Sequence, residues 1–290
     1  MNTHIGQRQV ERVGPTLRRV GANRLAAAVY PHDNVRVLLL HDVHPEDMSS
    51  LRTILERLME QRRPLSPEDL RRMYADPANW RPGRWFAISF DDGLLSSYEA
   101  AQEVLEPLDL KAAFFVPTAI FELDSEEKMR SFAVDNVGRE ASPPPERYRV
   151  MTTAHLLALR DQGHAIFPHT HSHMSLAAIH TVAEIERELR APRAIIEDIV
   201  QESAPALAIP FGDDRSVGPV AFRAVEELYD ICFTAIPGVN WATSDRYRLG
   251  RDGFDPGDPM AHVMNILEGV WDIPYAVKRQ RFRRRSLRTR

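Results

Sequence analysis

The chain has 290 residues, 37 Lys and Arg against 41 Asp and Glu, a formal net charge of −4 and 43% hydrophobic residues, the composition of an ordinary globular protein long enough for one large domain. That balance gives no general attraction to nucleic acid or anionic membrane, and a single cysteine, Cys232, excludes an intramolecular disulfide. The N-terminus lacks the apolar core of a signal peptide and no apolar run is long enough to span a bilayer, so a cytoplasmic location is expected.

Residues 1–34 are polar and weakly periodic and read as a lead-in segment. Val35-Arg36-Val37-Leu38-Leu39-Leu40 is then a first strand that delivers His41-Asp42-Val43-His44 at its end. Leu51, Ile54, Leu55 and Leu58 recur at helical spacing after a cap at Ser49 or Ser50, and Ser66-Pro67 opens a second helix. The apolar run Trp85 to Phe90 is a buried strand that stops at Asp91-Asp92-Gly93. A helix over 96–105 and a short strand at Ala112-Ala113-Phe114-Phe115-Val116 follow. Residues 124–149 break the alternation, and their charge and Ser142-Pro143-Pro144-Pro145 run read as an inserted loop or lid. Alternation resumes with a helix over 153–162, a strand over 164–167, a helix over 182–203, a strand at Ala206-Leu207-Ala208-Ile209, a helix over 217–228 and a strand over 231–235. Strands alternating with helix-length crossovers predict an α/β fold, a parallel sheet with its chemistry at the carboxyl ends of the strands.

Two stretches carry chemistry. Adjacent carboxylates such as Asp91 and Asp92 repel, so one calls for a proton or a cation, although Asp-Asp-Gly alone also describes an acidic turn. The second stretch is His169-Thr170-His171-Ser172-His173, which Pro168 keeps extended at its start. Imidazoles with a carboxylate suit zinc, cobalt, nickel or iron. Spacing leaves the ligands open, because His169, His171 and His173 share a face if extended whereas His169 and His173 pair on a helical turn.

Phe90-Asp91-Asp92-Gly93, then His169-Thr170-His171-Ser172-His173, then Ala208-Ile209-Pro210-Phe211-Gly212, in this order, resemble the three motifs of the polysaccharide deacetylases, the NodB homology domain of family 4 carbohydrate esterases. The resemblance runs over residues 35–254 and implies a distorted seven- or eight-stranded parallel (β/α) barrel as a single domain, with 35–277 as its extent. By position it makes Asp91 the catalytic base, Asp92, His169 and His173 the ligands of one divalent metal, zinc first, and the Phe211 N–H an oxyanion donor. The family's arginine before Pro-Pro-Tyr is replaced by Ala208, and Arg251 is the candidate to orient Asp91 instead. The family's C-terminal Leu-x-His has no counterpart after Phe254, since His262 follows no apolar strand. Leu39-Leu40-His41 has that form, as in a circularly permuted branch of the family, making His41 the candidate general acid with His44 beside it. His155 and His180 read as surface residues.

The implied activity is removal of an N-acetyl group from an N-acetylated oligo- or polysaccharide or glycan precursor. The alternatives are a metal-dependent amidase or esterase on a small non-sugar substrate and a non-catalytic carbohydrate-binding protein of the same fold. Residues 278–290 form a basic tail suited to an anionic polymer or membrane surface, and no specific nucleic acid is expected.

Overall fold

The computed structural model describes residues 33–138 and 145–287, and strand and helix alternate through them. The first half comprises β1 (Asn34–Leu40), α1 (Met48–Met59), a short β2 (Arg63–Pro64), α2 (Pro67–Ala75), β3 (Arg84–Phe90), α3 (Leu95–Ala100), β4 (Ala112–Val116) and α4 (Glu126–Phe132). The second half comprises α5 (Thr153–Asp161), β5 (Ala165–Pro168), α6 (Val182–Ile185), α7 (Ala191–Val200), β6 (Ala206–Ala208), α8 (Pro219–Leu228) and β7 (Ile231–Phe233). A two-residue β8 (Asp252–Gly253), α9 (Met260–Leu267) and α10 (Asp272–Leu287) complete it.

Every pairing between these strands is parallel: one sheet runs β5-β4-β3-β1-β8, with β2 beside β3, and β6 pairs with β7. The two sheets enclose one interior, because Val37, Ala87, Ala113, Phe167, Ala206 and Phe233, from six different strands, line the same cavity. Phe233 bridges Leu249 in parallel just ahead of β8, and the β5–β6 gap is crossed by the His169 ring, whose Nδ1 lies 2.8 Å from the Ala208 carbonyl. The result is a mostly parallel α/β fold, a barrel whose backbone ladder is interrupted. Val37, Ala87 and Ser89 line the cavity, and since side chains alternate across a strand, His41 and Asp91 follow on the same faces of β1 and β3.

Helix α2 covers the other end of the barrel, where Pro67 and Leu70 line the cavity, and Ser66 Oγ caps it by accepting the Asp69 N–H at 3.1 Å. A buried ionic knot holds β1, β8 and α10 together: the Arg36 guanidinium donates to Asp252 at 2.9 Å and to Asp272 at 2.6 Å.

Four expectations differ from what is observed. The cap of α1 is Asp47, so Ser49 and Ser50 lie inside its first turn. The lead-in lies outside the described residues except for Asp33 and Asn34, and Asn34 already belongs to β1. The insert 124–149 is more than a loop or lid, since α4 continues through a wider turn at Ala133–Val137 and buries Phe132 and Ala133, and Tyr148 is buried from a separate turn at Pro145–Tyr148. The basic segment from Lys278 is no separate tail through Leu287: it is the second half of α10, with Phe282 and Ser286 buried, because an aromatic among the arginines has a core to enter. Residues 288–290 lie outside the described part.

Candidate active site

The end of β3 turns sharply. The Asp91 N–H still donates to Leu40 O at 3.0 Å, continuing the ladder, but Asp92 adopts a left-handed backbone with φ 73°. Gly93 follows at φ 69°, where a Cβ would meet Ile120 Cδ1 at 2.9 Å, so only glycine fits without displacement. Asp91 and Asp92 therefore both point into the mouth instead of alternating across the strand, and both are buried. Thr170 (φ 62°), His173 (φ 58°) and Phe211 (φ 60°) are left-handed too. Such residues cost on the order of 1–3 kcal/mol each and persist where surrounding contacts hold them, commonly at functional sites.

The structure brings Asp92, His169 and His173 together, with one ligand atom from each within 4.8 Å of the others, all three buried. Asp92 Oδ1 is 3.8 Å from His169 Nε2 and 3.4 Å from His173 Nε2. Each imidazole is oriented from behind. His169 Nδ1 faces Ala208 O, and His173 Nδ1 faces Asn136 O at 2.9 Å, so both Nδ1 atoms carry the proton and the Nε2 lone pairs face the carboxylate. Burial, chiefly, pushes His169 down to about 4. Burial is also the largest single influence on His173, but the hydrogen bond to Asp92, the Asp92 charge, the Asn136 carbonyl and Asp91 together outweigh it and raise it. His171 is directed elsewhere, with Nδ1 on Thr118 Oγ1 at 2.9 Å and Nε2 3.7 Å from Glu122.

Arg251 is fully buried and grips Asp91 with both arms, Nη1 to Oδ1 at 2.7 Å and Nη2 to Oδ2 at 2.6 Å. Its own position is fixed by Nε donating to Thr234 O at 2.9 Å and Nη1 donating to Ser89 Oγ at 3.2 Å. Burial would raise the Asp91 carboxyl, but the Arg251 charge and hydrogen bonds, with His169 and His41, hold it below the usual range. His41 follows Leu40, whose register partner is Phe90, so His41 and Asp91 emerge side by side; His41 is exposed. His44 is instead engaged with Arg147 from the insert and lies 3.7 Å from Asp42. His262 lies on α9, its N–H bonded to Pro259 O. His155 Nδ1 accepts the Thr152 N–H at the start of α5, and His180 is exposed.

Phe211 follows β6 in a locked turn. A Cβ on Gly212 would fall 2.3 Å from the Ala235 backbone N, and Gly212 O accepts that N–H at 2.9 Å. The Phe211 ring is half exposed and packs edge-on against His173 at 4.7 Å, and its N–H has no partner among the described residues. Sequence reasoning missed two supports of the histidine turn. Fully buried Glu188 accepts the Ser172 N–H at 3.0 Å and its hydroxyl at 3.1 Å, and Asn136 Nδ2 donates to Ser172 O at 2.9 Å. Glu188 sits in a charged helical run, Glu186-Arg187-Glu188, which reads as a solvated face, so composition concealed it.

With this geometry in view, residues 79–217 match the family model described as polysaccharide deacetylase. No curated protein sequence matches the chain. Among solved structures, a Streptococcus pyogenes deacetylase, PplD in complex with acetate, is similar at a TM-score of 0.63 and 17% identity, covering 80% of this chain and 97% of that one. A de-N-acetylase from Aggregatibacter actinomycetemcomitans gives 0.61 at 14% identity, covering 81% and 100%. IcaB from Ammonifex degensii gives 0.58 at 18% identity, covering 82% and 96%. At these identities the likeness is one of fold.

Proposed function

Residues 79–217 make this chain a member of the polysaccharide deacetylase family, and from that premise we propose that it is a metal-dependent hydrolase removing the N-acetyl group from an N-acetylated sugar. The donor set supports a single divalent ion, zinc first among candidates. It offers one carboxylate and two imidazoles whose Nδ1 atoms are committed to carbonyls, in a buried cluster small enough to share an ion. Bound there by Asp92, His169 and His173, the ion would act as a Lewis acid on the amide carbonyl and on water.

This chain's own residues supply the rest. Asp91, kept ionised by Arg251, takes the proton of the attacking water. The Phe211 N–H, which has no partner among the described residues and is presented by a left-handed turn, donates to the developing oxyanion. His41, the strand-end neighbour of Asp91, gives a proton to the departing amine nitrogen, so acetate and a free amine leave together. The observation that carries this reading is the buried Asp91–Arg251 pair set against the Asp92–His169–His173 cluster, 3.7 Å separating His169 Nε2 from Asp91 Oδ2. A protein that only bound carbohydrate would have no need to bury an ionised carboxylate there.

The test is acetate release from N-acetylglucosamine oligomers. Wild type should turn over, lose activity to a chelator and regain it with added zinc. Asp91→Asn should retain metal and lose on the order of 10²- to 10⁴-fold in turnover. Near-normal turnover in Asp91→Asn at matched metal content would overturn the assignment of the base.

A further inference from the structure

Helix α10 is fixed on one side and, among the described residues, exposed on the other. Its inner side is held by Phe282, edge-on to Phe222 at 6.0 Å, by Ser286 Oγ accepting from Arg248 Nε at 3.0 Å, and by Arg279 donating to Pro237 O. The outer side is not that of an ordinary solvated helix. Four large apolar side chains among the described residues are more than half exposed, and three of them are here: Ile273 (71%), Val277 (55%) and Leu287 (58%). Ile273, Val277, Gln280, Arg284 and Leu287 follow one another at steps of four, three, four and three, so they form a single outward stripe.

Beside that stripe lie Lys278, Arg281, Arg283 and Arg285, all exposed. No Asp or Glu occurs after Asp272, and among the described residues Arg281, Arg283, Arg284 and Arg285 form no ion pair. An overall charge of −4 does not cancel this patch, because charges more than a Debye length of roughly 10 Å away are screened.

We propose that the outer face of α10 docks the protein onto an anionic lipid surface, with Ile273 and Val277 entering the interface and Arg281, Arg284 and Arg285 pairing with lipid phosphates. Charge complementarity demands a polyanion, and guanidinium forks match phosphate oxygens in pairs. The exposed Ile273, Val277 and Leu287 select the lipid surface among polyanions, since a nucleic-acid backbone offers these side chains no apolar phase. A second copy of the chain is disfavoured. Parallel pairing of two such stripes would oppose Arg284 to Arg284, and antiparallel pairing would set Ile273 and Val277 against the arginines.

The test is co-sedimentation of the full chain with phosphatidylcholine vesicles, with and without phosphatidylglycerol, at low and high salt. Binding should require phosphatidylglycerol and weaken with salt. Each basic residue near an anionic surface is worth about fivefold, so Arg281→Glu/Arg284→Glu/Arg285→Glu should lose at least ~100-fold. Ile273→Ser/Val277→Ser should lose about tenfold. Both variants should keep the wild-type circular dichroism and acetate release from a soluble oligomer, which separates this face from the catalytic site. Equal binding to neutral vesicles, no binding to either, undiminished binding by the arginine variant, or capture by duplex DNA without vesicle binding would each overturn the proposal.

Discussion

Burying a carboxylate normally drives it to take up a proton. Asp91 is held the other way because Arg251, itself without contact to solvent, spans both of its oxygens. The two residues therefore stand or fall together. Arg251→Met leaves a buried carboxylate uncompensated, which raises its pKa and costs about 3–5 kcal/mol of stability. As the proposed base, Asp91 works only when deprotonated, so the acid limb of the pH–rate profile should move to higher pH in Arg251→Met, and part of the way back in Arg251→Lys. Profiles taken at matched metal content check this; an unmoved acid limb would mean that Arg251 does not tune the catalytic base. At this scale the sequence yielded the residue types and left their directions open. His169, His171 and His173 are equivalent by spacing, and what separates them is the left-handed backbone at Thr170 and His173, which turns His171 out to Thr118. Alternation rules assume extended strands or regular helices and carry no signal for that turn.

The insert and α10 are the elements that composition misrepresented. A proline- and charge-rich stretch reads as loop, and an arginine-rich terminus reads as a solvated end, because neither displays a long apolar period. Each nonetheless spends a few side chains on the core: Phe132, Ala133 and Tyr148 in the first, Phe282 and Ser286 in the second. The insert also reaches the site at two places, Asn136 behind His173 and Arg147 beside His44 and Asp42. Asn136 has two ties, since its carbonyl orients the His173 ring while its side-chain amide pins Ser172 O. Asn136→Ala keeps the carbonyl but frees the segment that carries it. Partners behind a ligating histidine are worth 10- to 100-fold in metal affinity, and losing only the tie should cost about tenfold. Metal-binding titration against a competing chelator measures it, with Ser131→Ala, whose hydroxyl donates to Asp135 in the same insert, as the silent comparison. Equal affinities for the two variants would show that the insert merely adjoins the metal site.

Across the whole molecule, the alternation of strand and helix was readable from β1 to β7, apart from the two-residue β2 (Arg63–Pro64), because the other strands are rich in Val, Leu, Ile, Phe and Ala. How the barrel completes itself was not, since β8 has two residues and depends on the Arg36–Asp252–Asp272 knot, whose members lie far apart in sequence. The same burial that completes the fold makes it sensitive to acid through His164, just ahead of β5. Its Nδ1 accepts the Ala112 N–H at 3.0 Å, which fixes the proton on Nε2, 3.1 Å from Glu106 Oε1. A proton on Nδ1 would set two donors against each other, and burial, partly opposed by Glu106, pushes the imidazole down to about 4. The unfolded chain takes up that proton near pH ~6.5, whereas the folded chain takes it up only near 4. The unfolded state therefore binds more protons between these values, and stability present above ~6.5 is lost as pH falls toward 4. His169 is depressed and His173 raised, so their contributions oppose each other, and a bound metal would remove both from titration. For the metal-loaded protein, urea unfolding at neutral pH and about one unit below 6.5 should show a loss from His164 on the order of 1 kcal/mol. His164→Gln keeps an acceptor for the Ala112 N–H but cannot titrate, so its stability should fall less over the same interval. Parallel declines in wild type and variant would assign the acid sensitivity to other groups and leave His164 a packing residue.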